Sequence, residues 1–126
     1  MDASFLLLLL IALQIKHFLA DFPLQTAKML NEKGYYGNVH GLLHALIHGA
    51  LSLPIMLAFL GFSTFVCVLV LVEFVVHYHL DWAKEKLVRN TGWTYQYSKF
   101  WVAIGFDQLL HQITYIAMIA AIIHLW

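Results

Sequence analysis

Four long apolar segments dominate the sequence and limit what the chain can fold into. They run from about residue 3 to 22, 39 to 60, 64 to 87 and 98 to 125. Each is long enough to cross a bilayer as an α-helix, which takes about 20 residues. Of the 126 residues only 11% are charged, whereas a soluble domain is about 25% charged. The sequence therefore predicts a single all-α domain over residues 1–126, an integral membrane four-helix transmembrane bundle.

Helix signals divide these segments from one another. Pro23 ends the first segment, and residues 24–33 show helical spacing before a stop at Gly34, which predicts a short interfacial helix after the first span. Asn38 is placed to cap the second segment, and Asn90-Thr91-Gly92 is a typical helix stop after the third.

The positive charges indicate an orientation in the membrane. All seven Lys and Arg residues flank the first and third connections, which lie on the same face of a four-span protein. The positive-inside rule then predicts that both connections face the cytoplasm and both termini lie outside it. Because seven acidic residues balance the seven basic ones, nucleic acid is not expected as a partner.

Ionisable residues inside the spans are the strongest functional signal. Every span carries polar residues four apart, which share one face of a helix, and all of them fall near the same end of the bundle because consecutive spans alternate in direction. The predicted metal ligands are His17, Asp21, His44, His48, His77, Asp81, Asp107 and His111. Glu73 lies one turn from His77, and we expect it to act as a general base.

The chemistry of these side chains points to divalent cations. Imidazole and carboxylate without thiolate suit zinc first, with iron or manganese as alternatives; the only cysteine, Cys67, lies away from the cluster along the chain. The number of donors allows one ion or two. An acid–histidine proton relay, or hydrogen bonding between helices without any ion, is the competing interpretation.

Several motifs carry a family resemblance. The segments 17–26 (HFLADFPLQT), 77–84 (HYHLDWAK) and 107–111 (DQLLH), with His44 and His48, resemble a family of small bacterial membrane proteins catalogued as a domain of unknown function, numbered 3307. The resemblance covers nearly the whole chain and implies the membrane topology and the polar positions, but no reaction. A more distant likeness to membrane-bound metal-dependent hydrolases rests on His and Asp usage in short spans.

The leading functional hypothesis is a membrane-embedded metal-dependent hydrolase of a lipid-like ester or phosphoester. Its partner would be a membrane lipid, whose head group Lys28, Lys84 or Arg89 could anchor. The alternative is a divalent metal-ion transporter or metal-binding protein. Away from the cluster, residues 3–13, 55–72 and 116–123 contain no ionisable residue except Cys67, which favours the enzyme, although a homo-oligomer could supply a path for ions. A di-iron oxidase or haem protein is less favoured, because desaturase-type adjacent histidines are absent.

Overall fold

The fold consists of five α-helices. A computed structural model describes residues 2–126, which contain α1 (Ala3–Asp21), α2 (Ala27–Glu32), α3 (Val39–Leu60), α4 (Thr64–Thr91) and α5 (Ser98–Leu125) and no strand. The four helices other than α2 are each long and apolar enough to span a membrane. The predicted all-α class with four such helices is confirmed.

Two helix boundaries differ from the sequence prediction. The short helix α2 begins only at Ala27, because the Thr26 side chain accepts a hydrogen bond from the Met29 amide and caps it there. Helix α4 continues one turn beyond residue 87 and ends where Gly92 adopts a left-handed conformation, with φ at 67°. The Asn38 cap of α3 is present, since its side chain accepts from the His40 amide.

The four long helices form a closed ring in the order α1, α3, α4, α5. Helix α1 packs against α3 and α5, and α4 packs against the other sides of the same two helices. Helix α2 lies against α3 at one end of the ring. This end also contains the connection between α4 and α5, and we call it the charged end.

The interior of the ring has two zones. The half away from the charged end is an apolar core in which these side chains are buried: Leu9, Leu13, Met56, Val66, Leu69, Tyr115, Met118 and Ile122. The half near the charged end holds the buried ionisable side chains. Large apolar side chains on the outer faces of all four long helices are exposed, as expected of surfaces that contact lipid.

Candidate metal centre

The structure brings all eight predicted metal ligands into one buried layer. Each long helix contributes a pair four residues apart, and the helical repeat turns both members toward the interior. Their exposed fractions lie between 0 and 6%. The members are His17, Asp21, His44, His48, His77, Asp81, Asp107 and His111. Because these positions come from all four helices, the layer exists only in the folded ring.

Asp21 is one centre of this layer. Its Oδ1 lies 3.0 Å from Nε2 of His48 and 3.3 Å from Nε2 of His44, both on α3. Its Oδ2 lies 3.1 Å from Nε2 of His17, one turn earlier on α1, and accepts a hydrogen bond from the Gln108 amide at 3.0 Å. One carboxylate therefore faces three imidazoles.

Asp81 is the second centre. Its Oδ2 lies 3.1 Å from Nε2 of His44 and 3.3 Å from Nε2 of His77, and its Oδ1 lies 3.3 Å from Nε2 of His111. His44 on α3 is therefore within contact distance of both carboxylates, and it links Asp21 on α1 to Asp81 on α4.

Six of the eight residues fall into two compact groups of donor atoms. Asp21, His44, His48 and His77 form one group, and His77, Asp81 and His111 form the other; within each group the donor atoms lie within 4.8 Å of one another. The groups share His77. The remaining two predicted ligands lie beside them, with His17 next to Asp21, and Asp107 Oδ1 3.3 Å from Nε2 of His111.

The donor set fits a divalent cation by two observations. The nitrogen–oxygen separations of 3.0 to 3.3 Å match the roughly 3.3 Å expected between neighbouring ligands of a tetrahedral ion with bonds of about 2.0 Å. Both ring nitrogens of His44 and of His77 are buried and make no hydrogen bond: Nδ1 has no partner, and Nε2 lies 3.1 to 3.3 Å from carboxylate oxygens without hydrogen-bond geometry. Buried imidazoles without partners are costly unless something else engages them, and a metal ion would.

The charges in this half of the bundle do not balance. The buried charged side chains of residues 2–126 are four carboxylates and two ammonium groups: Asp21, Glu73, Asp81, Asp107, Lys16 and Lys33. With neutral imidazoles this leaves an excess of two negative charges in a low-dielectric interior, which is unfavourable without compensation. One divalent cation supplies that compensation, and so would two protonated histidines.

Lys16 and Lys33 are part of the layer, a role that the charge pattern of the sequence did not indicate. Lys16 donates to Glu73 at very short range and lies 3.5 Å from Nδ1 of His48. Lys33 donates to Asp81 at 3.1 Å and to the Gln25 side chain at 2.9 Å. Both were expected to be positive-inside charges at the membrane surface, but their exposed fractions are 3% and 4%.

The pKa of Lys33, which lies outside the long helices, is raised above its ordinary value. Burial pushes the pKa of this ammonium group down, but the carboxylates of Asp81, Asp21 and Glu85 outweigh that penalty. Lys33 therefore favours its charged form at the edge of the buried layer.

Glu73 lies on the apolar-core side of the layer. It is fully buried, and its Oε1 accepts hydrogen bonds from Lys16 and from the Tyr115 hydroxyl, at 3.0 Å for the latter. The same hydroxyl lies 3.2 Å from Nδ1 of His17. Glu73 is therefore connected to the layer by hydrogen bonds through Tyr115 and Lys16, and its role as general base stays a prediction.

A cavity of about 340 Å³ lies over the layer at the charged end. Its polar lining includes Asp21, Asp107 and Gln108 from the layer, together with the side chains of Lys33 and Lys84. Its apolar lining comes from Phe22, Leu30 and Ile104. The cavity volume is within the range of about 300 to 1,000 Å³ typical of small-molecule sites.

Fold and site together define an all-α bundle of membrane-length helices around a His/carboxylate layer. The family described as "Protein of unknown function (DUF3307)" matches residues 7–126, and the chain belongs to that family. The family description names no activity, so the likeness to metal-dependent hydrolases remains a hypothesis. Searches among curated proteins and among solved structures gave no match to the chain.

Proposed function

We propose that this chain is a membrane-embedded metal-dependent hydrolase of an amphipathic ester or phosphoester. The observation that carries the proposal is a buried layer of five histidines and three aspartates with an excess of negative charge, opening at one end into a cavity with polar and apolar walls. A layer of this kind is expensive to maintain among apolar helices, so it is expected to serve a function.

The two donor groups would hold the cation, with His77 common to both. A bound divalent cation supplies Lewis acidity, which polarises a carbonyl or phosphoryl oxygen and acidifies water. Asp107 is better placed than Glu73 to be the general base, since it lines the cavity and its Oδ1 has no hydrogen-bond partner. It would take the proton of the attacking water and pass it to the departing alcohol oxygen as the ester bond breaks.

The apolar core favours an enzyme over a transporter. A carrier needs a polar route to both faces of the membrane, but beyond the layer the ring is filled by side chains such as Leu9, Leu13 and Met56, all fully buried. The layer would therefore have no polar route to the opposite face of the membrane. This arrangement suits a reaction at one membrane surface.

We place the chain in a bacterial inner membrane, with the charged end in the cytoplasm and zinc as the metal. Two of the seven basic residues belong to the buried layer, and the other five still lie at the charged end, so the positive-inside rule still predicts that this end faces the cytoplasm. These five are Lys28, Lys84, Lys86, Arg89 and Lys99. Zinc is favoured because the layer combines imidazole with carboxylate and lacks thiolate.

The proposal is tested by metal analysis and hydrolysis assays on the full chain purified in mild detergent. We expect one or two equivalents of zinc per chain, with hydrolysis of p-nitrophenyl octanoate or bis(p-nitrophenyl) phosphate that a chelator abolishes. His77→Ala should lose both metal and activity. His79→Ala is the matched control, because His79 lies on the same helix but is exposed and bonds to Tyr36 at 3.1 Å.

Three outcomes would overturn the proposal. A chain that binds no stoichiometric metal would leave the layer as a proton relay or a set of structural hydrogen bonds. Equal metal loss in His77→Ala and His79→Ala would show nonspecific binding. Zinc flux into proteoliposomes without hydrolysis would identify a transporter.

A further inference from the structure

A groove on the lipid-facing side of the ring lies beside the cavity over the buried layer. The groove has a volume of about 190 Å³ and lies between α4 and α5. Lys84 and Asp107 line both the groove and the cavity, so these two side chains stand between the two spaces. The rest of the groove is apolar and is lined by Leu80, Ala83, Leu87, Ala103, Phe106 and Leu110.

We infer that the substrate is a membrane amphiphile with a phosphate head group, which enters laterally from the bilayer. Its hydrocarbon chain would lie in the α4/α5 groove, and its head group would lie in the cavity against Lys84 and Lys33. This inference rests on the proposed function, because it names the substrate class of the same site.

The charges at the junction select an anionic head group. Lys33 donates hydrogen bonds to Gln25 and Asp81, and Lys84 donates one to Glu85 at 2.6 Å. An ammonium group has three donors, so each lysine keeps at least one for a phosphate oxygen. The carboxylates that also line the cavity would be neutralised by the cation that the layer is proposed to hold.

A second lipid-facing groove lacks charged lining residues. It has a volume of about 510 Å³ and lies between α3 and α4, where Gly49, Ala50 and Leu53 are among its lining residues. None of its lining residues belongs to the layer or to the cavity. It offers apolar surface to any lipid, whereas the α4/α5 groove joins apolar surface to a lysine and a candidate base.

Photocrosslinking of the full chain tests the inference without any substitution. Phosphatidic acid with a diazirine near the end of one acyl chain would be irradiated with the protein in mixed micelles, and the crosslinked peptides mapped by mass spectrometry. We expect crosslinks on α4 and α5 at the groove residues. Crosslinks spread evenly over all lipid-facing helices, or concentrated between α3 and α4, would overturn the inference.

Two pairs of matched variants sharpen the test. Ala103→Phe fills the α4/α5 groove and should abolish the groove crosslinks, while Ala50→Phe fills the other groove and should leave them unchanged. Lys84→Gln should lower the preference for the phosphatidic acid probe over the corresponding diacylglycerol probe about fivefold. Lys99→Gln, at the same end but exposed beside Trp93, should not. An unchanged preference in Lys84→Gln would contradict the head-group assignment.

The readouts separate this inference from the proposed function. Zinc content and hydrolysis of bis(p-nitrophenyl) phosphate, which has no hydrocarbon chain, report on the metal centre alone. If those succeed while the crosslinks lie elsewhere, the hydrolase stands and the lateral lipid route fails. If the crosslinks map to the groove but the chain holds no metal, the lipid site stands without the hydrolase.

Discussion

The ammonium group of Lys33 lies 3.1 Å from Oδ2 of Asp81, joining the connection after α2 to the middle of α4 inside the protein. Removing one partner of a buried ion pair leaves the other charge uncompensated. We expect Lys33→Met to lower the free energy of unfolding by about 3 to 5 kcal/mol, measured by thermal unfolding in detergent. The exposed Lys28 provides the control, and Lys28→Met should change stability by less than about 0.5 kcal/mol. Equal effects of the two substitutions would contradict the pairing.

The same ion pair predicts a pH dependence. The pKa of Lys33 is raised above its ordinary value of 10.5 because nearby carboxylates outweigh the cost of burial. A raised folded-state pKa gives stability that is fully present below the unfolded value and is lost as the pH rises through the folded value. The stability difference between the wild-type chain and Lys33→Met should therefore stay constant from pH 7 to about 10 and shrink above 10.5. A difference that disappears between pH 7 and 9 would show that Lys33 is neutral in the folded protein.

Much of the fold could be predicted from the sequence, because membrane helices carry their signal locally. An apolar run of sufficient length is enough to identify a span, and the start of α3 and the end of α4 follow from the signals at Asn38 and Gly92. Spacing also placed His77 and Asp81 on one face of α4, since two residues four apart must share it. These inferences needed no knowledge of how the helices pack.

The two buried lysines were missed for different reasons. Lys16 was interpreted by its position along the chain, although it continues the helical stripe of Leu9 and Leu13 that becomes buried on α1. Attention to that stripe would have found it. Lys33 follows a helix of only six residues, and its burial depends on how α2 folds back against α3. No local pattern encodes such a contact.

Metal binding should stabilise the fold measurably. A ligand that binds only the folded chain adds about 2.7 kcal/mol of stability when its free concentration is 100 times its Kd. We expect zinc to raise the unfolding temperature, a chelator to reverse the effect, and His77→Ala to show no shift. Zinc should also reduce the destabilisation caused by Lys33→Met, because the cation would compensate the charge of Asp81. A zinc shift of the same size in His77→Ala would place the binding elsewhere.

The Lys16–Glu73 pair predicts strong coupling between two substitutions. Lys16→Met leaves the fully buried Glu73 without its cation, and Glu73→Gln leaves Lys16 without its anion. The double variant should be more stable than the sum of the two single effects predicts, by about 1 to 3 kcal/mol in a double-mutant cycle. Additive effects would mean that the two charges do not interact.

Kinetics of the same Glu73→Gln variant address its catalytic role. If Glu73 only balances Lys16, hydrolysis should fall in proportion to the loss of folded, zinc-loaded protein. A large loss of kcat in protein that keeps its zinc and its unfolding temperature would identify Glu73 as the general base and displace Asp107 from that role.

Gly41 on α3 determines how closely the end of α2 can approach the ring. A Cβ at this position would lie 3.1 Å from the Cα of Lys33, which is backbone and cannot rotate away. We expect Gly41→Ala to push Lys33 outward, weaken its contact with Asp81 and lower the unfolding temperature of the zinc-free chain, while zinc affinity rises because Lys33 no longer competes for Asp81. Gly105→Ala is the matched control, because nothing lies within 4 Å of its added Cβ and alanine in a helix interior is favoured over glycine by about 0.5 to 1 kcal/mol.

A lower unfolding temperature in Gly41→Ala together with a higher one in Gly105→Ala would therefore distinguish the effect of close packing from that of helix propensity. If Gly41→Ala stabilises the chain as Gly105→Ala should, then α2 does not rest on α3 in the membrane. In that case Lys33 would not reach Asp81, and the negative charge of the layer would have to be balanced by bound cations or protonated histidines alone. The zinc affinity of Gly41→Ala distinguishes the two positions of Lys33. If Lys33 contacts Asp81 in the wild-type chain, moving it outward removes a competitor for Asp81 and strengthens zinc binding; if it does not, the affinity stays unchanged.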